Sequence, residues 1–308
     1  MVEEILKIPS QIVEGYKLAK DINVSKAGHV IVCGMGGSAI VGQMAEMLSS
    51  KVSVHYNFDL PAVIPEGSLI ICISWSGETE ETISALQSAH QNNLPAIAIT
   101  KHGKLAEKAK EYGFETVVMP DMDIKPRLAV GLVFGALISI LEKTSIIEKQ
   151  NLQIIADQAI LKERANQLAQ LVGEKIPLIY TSEKWKNLGE FWKAFFNENS
   201  KTEASSNWVP KLDHNELASL TEKDKNKFAV ILMEEKADDD RIKDAIERID
   251  AMLEGIGYTH DMVDIEGDGM IEKIFRNYVL AGLTTAFLAQ NKGVDPKEAP
   301  VIDRFKKI

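Results

Sequence analysis

Continuous apolar runs that alternate with helix-period segments constrain this chain more than any other feature. His29–Cys33, Val52–His55, Leu69–Ile73, Ala96–Thr100 and Glu115–Val118 read as strands. Between and after them Ser38–Leu48, Glu78–Gln91, Gly103–Glu111 and Arg127–Glu142 read as helices. A strand apolar at consecutive positions, rather than at every second one, is buried on both faces. Strand–helix alternation of this kind predicts a parallel sheet covered by helices on both sides. The second half repeats the theme. Helices are predicted at Leu152–Val172, Lys184–Phe196, Asp239–Gly255 and Met270–Gln290, and strands at Pro177–Tyr180, Phe228–Met233 and Met262–Ile265. Polar residues collect between Lys143 and Gln150, so the expected division is 1–147 and 148–308. The fold class is α/β, with two doubly wound parallel-sheet subdomains.

Composition narrows the function classes. A net charge of −10 over 308 residues argues against a general nucleic-acid surface. Six histidines and two cysteines without a CxxC make no metal framework and suggest a reducing compartment. Cys33 and Cys72 lie at strand positions where a small buried thiol is common. The start Met1-Val2-Glu3-Glu4 lacks a signal-peptide pattern, and the apolar segment Leu128 to Leu141 is too short to span a bilayer. A soluble, cytoplasmic protein is expected, with neither nucleic acid nor membrane as partner.

Two short loops look like phosphate cradles. Gly34-Met35-Gly36-Gly37-Ser38 follows the first apolar run, and Ser74-Trp75-Ser76-Gly77-Glu78-Thr79 follows the third. Each opens onto a helix, where backbone N–H groups and the helix dipole favour an anion. The hydroxyls of Ser38, Ser74, Ser76 and Thr79 can each donate a hydrogen bond to a phosphate oxygen. Neither loop holds a lysine, so the expected ligand is one bound mainly by neutral donors, and a sugar phosphate fits. Other readings stand beside this one. Gly34-x-Gly36-x-x-Ala39 satisfies a loose dinucleotide fingerprint, but the acidic residue that would hold a ribose comes late, at Asp59. The glycines could serve only tight strand–helix packing, and Ser76 or Thr79 could merely cap a helix.

Three further polar positions stand out. Arg127 follows Pro126 at a helix start, where it can either neutralise an anion or lie solvated. Glu198 emerges at the end of a segment rich in aromatics (Phe191, Trp192, Phe195, Phe196), a setting that suits a carboxylate to proton abstraction. His214 sits in a polar stretch after Pro210, and its side chain titrates near neutrality. By themselves these residues fit surface polar groups equally well.

Taken in order, Gly34-Met-Gly-Gly-Ser-Ala-Ile40, Ser74-x-Ser-Gly-x-Thr-Glu-Glu-Thr82, Pro126-Arg127, Asn197-Glu-Asn-Ser-Lys201 and His214-Asn-Glu216 resemble the bifunctional phosphoglucose/phosphomannose isomerases, a branch of the sugar isomerase domain superfamily. Gly293-Val-Asp-Pro296 and Ile302-Asp-Arg-Phe-Lys306 resemble that family's ending, so the likeness covers nearly the whole chain. It departs at Glu78, where family members often carry Asn, at Trp75, where they carry another aromatic, and at Lys211, where Glu usually follows Pro. An acidic Glu78 beside a phosphate is unfavourable unless it points away.

The resemblance implies two subdomains of the sugar isomerase type. It also implies reversible isomerisation of glucose 6-phosphate and mannose 6-phosphate to fructose 6-phosphate through a cis-enediol, with no metal and no redox cofactor. It assigns Glu198 as the base, His214 and Lys306 to ring opening and closing, Arg127 to the enediolate charge, and Gly36, Gly37, Ser38, Ser74, Ser76 and Thr79 to the phosphate. A homodimer whose active site borrows His214 from the other subunit is also implied. Rival readings are a non-enzymatic phosphosugar sensor, a nucleotide-dependent oxidoreductase and an isomerase of another phosphosugar.

Overall fold

The computed structural model describes residues 1–305. The chain divides into two compact units, one of Lys7–Gln153 and one of Met1–Leu6 together with the chain from Ile154 onward. Helix α1 (Val2–Leu18) begins in the latter and ends in the former.

The Lys7–Gln153 unit is a five-stranded sheet in the order β2-β1-β3-β4-β5, built from β1 (His29–Gly34), β2 (Val52–His55), β3 (Ser68–Ser74), β4 (Ala96–Thr100) and β5 (Glu115–Val118). Every pairing is parallel. All seven residues of β3 are buried, as its unbroken apolar run requires. Ile31, Cys33, Ile70 and Cys72 meet α3 (Glu80–Gln91) and α4 (Lys104–Tyr112) through Ala85, Leu86, Ala89, Leu105 and Ala109. The β1 residue Val32 and the β2 residue Val54 instead approach Gly42 of α2 (Gly37–Glu46), which packs against α5 (Val130–Lys143). Cys33 and Cys72 are register partners, both buried, and the Cys72 thiol is pushed well up by its hydrogen bond with Cys33 and by burial.

The other unit holds a four-stranded parallel sheet in the order β7-β6-β8-β9: β6 (Ile176–Ser182), β7 (Ser205–Val209), β8 (Phe228–Glu234) and β9 (Thr259–Asp264). Helix α8 (Asp240–Ile256) closes one side through Ala245, Ile246, Ile249 and Leu253 against Leu178, Tyr180, Val230 and Leu232. Helices α6 (Gln158–Val172) and α7 (Lys186–Asn199) pack along the 22-residue α9 (Met270–Asn291), and α10 (Pro300–Phe305) follows. Among the described residues no helix is long and apolar enough to cross a membrane.

The alternation read from sequence is present, with differences that have physical causes. The helix expected from Leu152 starts only at Gln158, where Asp157 caps it by accepting from the N–H groups of Ala159 and Ile160. Strand β7 went unread because it is an edge strand with the polar start Ser205-Ser206-Asn207, and edge strands need not be apolar. Helix α1 also went unread. Its buried positions Ile5, Ile8, Ile12 and Gly15 keep the helical period, but Pro9 lies inside it.

Residues Lys7–Leu18 of α1 lie against α5 at backbone distance. A Cβ on Gly15 would stand 1.8 Å from the Leu132 carbonyl oxygen, one on Gly131 2.1 Å from that of Ile8, and one on Gly135 2.0 Å from that of Ile12. In an open helix Gly→Ala is stabilising by roughly 1 kcal/mol. Here Gly135→Ala must push the two helix backbones apart, and the expected result is a loss of about 1–3 kcal/mol. Thermal unfolding followed by circular dichroism reads this as a lowered Tm, and an unchanged Tm would show that the crossing gives way without cost.

Candidate active site

In a sheet of order 2-1-3-4-5 the chain leaves β1 in one direction to reach β2 and in the other to reach β3. The carboxyl ends of β1 and β3 therefore flank an open crevice. Both glycine- and hydroxyl-bearing loops lie there. Gly34 closes β1 opposite Ile73, and Ser74 closes β3 opposite Thr100.

The first loop turns at Gly36, whose φ of +52° suits glycine, and Gly36 is the N-cap of α2 with no side chain to cap it. The loop runs against the turn Pro126–Leu128. A Cβ on Gly37 would stand 2.9 Å from the Arg127 backbone nitrogen and 3.0 Å from the Pro126 carbonyl carbon. Ser38 is buried, and Arg127 is only 6% exposed. That burial excludes a solvated surface arginine, and the Arg127 backbone adjoins the first loop.

In the second loop the hydroxyls converge. Ser74 Oγ lies 2.9 Å from Thr79 Oγ1 and 3.4 Å from Ser76 Oγ, and it accepts from the Gly77 N–H at 3.1 Å. Ser76 Oγ accepts from the Glu78 N–H at 3.2 Å. Thr79 is the N-cap of α3 but makes no side-chain capping bond, so its hydroxyl belongs to the loop cluster rather than to the helix end. Rotating hydroxyl protons can turn such a set toward one tetrahedral anion.

The two departures in this loop find their places. Glu78 turns aside to α4, where its carboxylate accepts from the Lys104 N–H at 3.1 Å and lies 3.4 Å from the Lys104 ammonium. The backbone bond, with the lysine charge, holds its pKa below the ordinary range. Trp75 is buried, and Lys101 Nζ lies 5.5 Å from the centre of its ring. Lys101 also pairs with Asp121 at 3.0 Å and donates to the Met122 carbonyl at 3.4 Å, tying the end of β4 to the segment that leads to Arg127. Sequence reasoning missed Lys101. Its one signal was its position just past a strand neighbouring the second loop.

In the other unit, Glu198 is half-buried near the C-terminus of α7. Phe191, Trp192, Phe195 and Phe196 are all buried, with Phe195 and Phe191 against Tyr278 of α9 at centroid distances of 4.7 and 6.0 Å. The turn after α7 is held firmly. Lys201, at φ +53°, donates to the carbonyls of Glu198 at 2.6 Å and Asp295 at 2.9 Å, and the buried Asn199 donates to Thr285 at 2.9 Å. A cleft of about 340 Å³ opens beside Glu198 and Lys201, with Pro300, Val301 and Ile302 across from them. Lys306 lies outside the described residues.

His214 is exposed, at the end of a short turn anchored by the buried Leu212. Lys211, the third departure, places its ammonium 4.0 Å from the centre of the Trp208 ring. Glu198 precedes β7 and His214 follows it, so they belong to opposite ends of the same edge strand. At a rise of about 3.3 Å per residue, the five residues of β7 put roughly 13 Å between its two ends.

A family model described as bacterial phospho-glucose isomerase C-terminal SIS domain matches residues 161–308, and a SIS domain model matches residues 23–140. The chain is 30% identical to the bifunctional phosphoglucose/phosphomannose isomerase of Aquifex aeolicus, over 99% of this chain and 98% of that one. It is 31% identical to the enzyme of the same name from Thermoplasma volcanium, with the same coverage. A D-glucosamine-6-phosphate 4-epimerase of Sulfolobus acidocaldarius is 25% identical over 94% of this chain and 92% of that one. Among solved structures, the C-terminal domain of glucosamine-fructose-6-phosphate aminotransferase from Francisella tularensis superposes with a TM-score of 0.71 at 15% identity, covering 97% of this chain and 98% of that one. Tagatose-6-phosphate ketose/aldose isomerase from Escherichia coli superposes at 0.68 and 16%, covering 96% and 93%.

The second loop depends on Gly77. At φ +73° a Cβ there would stand 1.7 Å from the His102 carbonyl oxygen. Gly77→Ala must displace the turn that carries Ser76 and the Glu78 N–H. The expected result is a folded protein whose Tm no longer rises on adding inorganic phosphate, where the unaltered chain's does. Equal phosphate-induced shifts in the two proteins would show that this turn is not part of an anion site.

Proposed function

The chain belongs to the family of bifunctional phosphoglucose/phosphomannose isomerases and is an isomerase, and from that premise we propose that it interconverts glucose 6-phosphate and mannose 6-phosphate with fructose 6-phosphate. The observation that supports this most directly is the convergence of Ser74, Ser76 and Thr79 hydroxyls beside the uncapped start of α2, at the switch point of the sheet. In this reading those hydroxyls, with Ser38 and the Gly36 and Gly37 backbone, hold the phosphate, and the first half of the chain (1–147) is the phosphate-binding subdomain. Residues 148–308 supply the base.

The chemistry is acid–base throughout. His214, aided by Lys306, moves a proton between O1 and the ring oxygen O5 to open the sugar. Glu198 removes the C2 proton, the electron pair forms the C1=C2 bond, and negative charge collects on O1, where Arg127 stabilises it. Protonation of C1 by the same carboxyl and transfer of the O2 proton to O1, as the C2=O2 bond forms, give the ketose. Because C2 is planar in the enediol, glucose and mannose epimers share one intermediate. The exposure of His214, and its place at the far end of β7 from Glu198, support an active site that takes His214 from a second copy of the chain in a homodimer. A cytoplasmic location accords with substrates of this kind. An isomerase of another phosphosugar is the second reading, favoured by the likeness to the glucosamine-6-phosphate epimerase. Coupled assays with both hexose phosphates and with glucosamine 6-phosphate separate the two.

Loss of a hydrogen bond to a charged group costs roughly 1.5–3 kcal/mol, so Ser74→Ala with Ser76→Ala is expected to raise KM strongly. Unchanged kinetics in the folded double variant would remove the phosphate assignment. Glu198→Gln keeps the shape but cannot accept the C2 proton. It is expected to lower kcat by roughly 10²–10⁴-fold with little change in KM, and to abolish exchange of the C2 proton with deuterated solvent. His214→Ala is expected instead to slow interchange of the sugar's anomers, read by NMR exchange spectroscopy. Near-normal C2 exchange in Glu198→Gln would place the base elsewhere.

A further inference from the structure

We propose that Glu216 is a positioning residue that holds His214 in place for ring opening, through a clamp on its carboxylate made by Tyr180 and Asn207. The inference rests on the assignment of His214 to that step. Tyr180 on β6 and Asn207 on β7 are register partners. In parallel strands such partners project to the same face. The Tyr180 hydroxyl donates to Glu216 Oε1 at 2.8 Å, and Asn207 Nδ2 donates to Glu216 Oε2. One carboxylate therefore bridges two strands, with one donor for each oxygen.

Both donors are themselves set. Tyr180 is buried, and burial together with the Glu216 charge pushes its pKa far up, so the phenol stays protonated as a donor. Asn207 Oδ1 accepts from the Trp208 N–H at 2.9 Å, which fixes the amide with its NH₂ toward Glu216. On the other side, the Glu216 N–H donates to Asn215 Oδ1 at 2.6 Å. Leu212, two residues before His214, is buried in the cluster that contains Tyr180, and Leu217 packs against the same cluster. His214 is thus an exposed ring on a short segment pinned at both ends. Leu212 supplies an apolar pin, and Glu216 supplies one with direction. An apolar contact alone would let the segment slide or rotate, whereas a two-point carboxylate bond sets its register.

This arrangement also argues that Glu216 is not the base. Its two oxygens already accept hydrogen bonds from Tyr180 and Asn207, and its place after β7 puts it with His214 rather than with Glu198.

The test exploits the number of bonds each variant can keep. Glu216→Ala removes both. Glu216→Gln keeps one with each partner, because its carbonyl can accept from Asn207 while its NH₂ donates to the Tyr180 hydroxyl, which accepts as well as donates. Anomer exchange of glucose 6-phosphate is measured by NMR in the unaltered chain and in both variants. Glu216→Ala is expected to slow that exchange about tenfold or more with KM nearly unchanged, and Glu216→Gln is expected to retain most of it. No slowing in Glu216→Ala, or equal slowing in both variants while Tm recovers in Glu216→Gln, would overturn the proposal. A parallel spectrum of the His214 ring keeps the two readings apart. If the unaltered protein shows no catalysed anomer exchange, the role given to His214 fails. The clamp is then decided by whether His214 resonances shift or broaden in Glu216→Ala and return in Glu216→Gln. Unmoved His214 signals overturn it.

Discussion

The parallel pairing of β1 with β3 is the constraint on which the rest of the Lys7–Gln153 unit depends. Register partners run from His29 with Ser68 to Gly34 with Ile73, so the two strands finish side by side. The loops after them are more than thirty residues apart in sequence, yet must share one edge of the sheet. Helices α2 and α3 then start from neighbouring strand ends. The turn Pro126–Leu128 approaches because Gly37 leaves room for its backbone. Even the fate of Glu78 follows: with α4 starting beside the second loop, its carboxylate has a helix N-terminus and a lysine to turn to, and its charge leaves the loop's hydroxyls.

The second sheet shows how the same topology can be put to another use. Its order β7-β6-β8-β9 also has a switch point, between β6 and β8. There the chain fills the space with its own charges. Glu235 is only 3% exposed and is bonded to Lys184, Lys273 and the Trp185 indole, while Ser182 donates to Asp238 at 2.7 Å. Burial raises the Glu235 pKa, but these bonds outweigh it and hold the carboxyl below its ordinary value. One unit thus keeps its crevice lined with neutral hydroxyls, and the other closes its own with ion pairs.

What could be read from sequence was what depends on local pattern. Unbroken apolar runs reveal strands buried on both faces, as β3 and β4 are, and β2, β4 and β5 begin and end where the pattern says. Glycines and hydroxyls directly after such runs reveal loops at the carboxyl edge. What could not be read depends on contacts distant in sequence. Arg127 was ambiguous because its burial is set by contacts distant in sequence, such as the approach of its turn to Gly37, ninety residues earlier. Strand β7 was hidden because Ser206 and Asn207 are polar, and they are polar because their side chains bond Glu190 and Glu216. The clamp on Glu216 joins residues 9 and 36 positions away, and no spacing rule announces it.

Strand β7 is also where the architecture bears hardest on mechanism. A parallel strand must be entered at one edge of its sheet and left at the other. Glu198 is on the way in, at the end of α7, and His214 is on the way out. In the proposed homodimeric site, one copy of β7 would offer its entrance and the other its exit. An edge strand suits that use, since one of its sides is not covered by a neighbouring strand. In such an assembly Glu198 would come with the buried aromatic packing of α7 against α9. His214 would come on an exposed segment whose placement relies on the few bonds around Glu216. If His214 serves another subunit, as proposed, the precision demanded of an exposed residue gives a physical reason for pinning that segment to two strands at once.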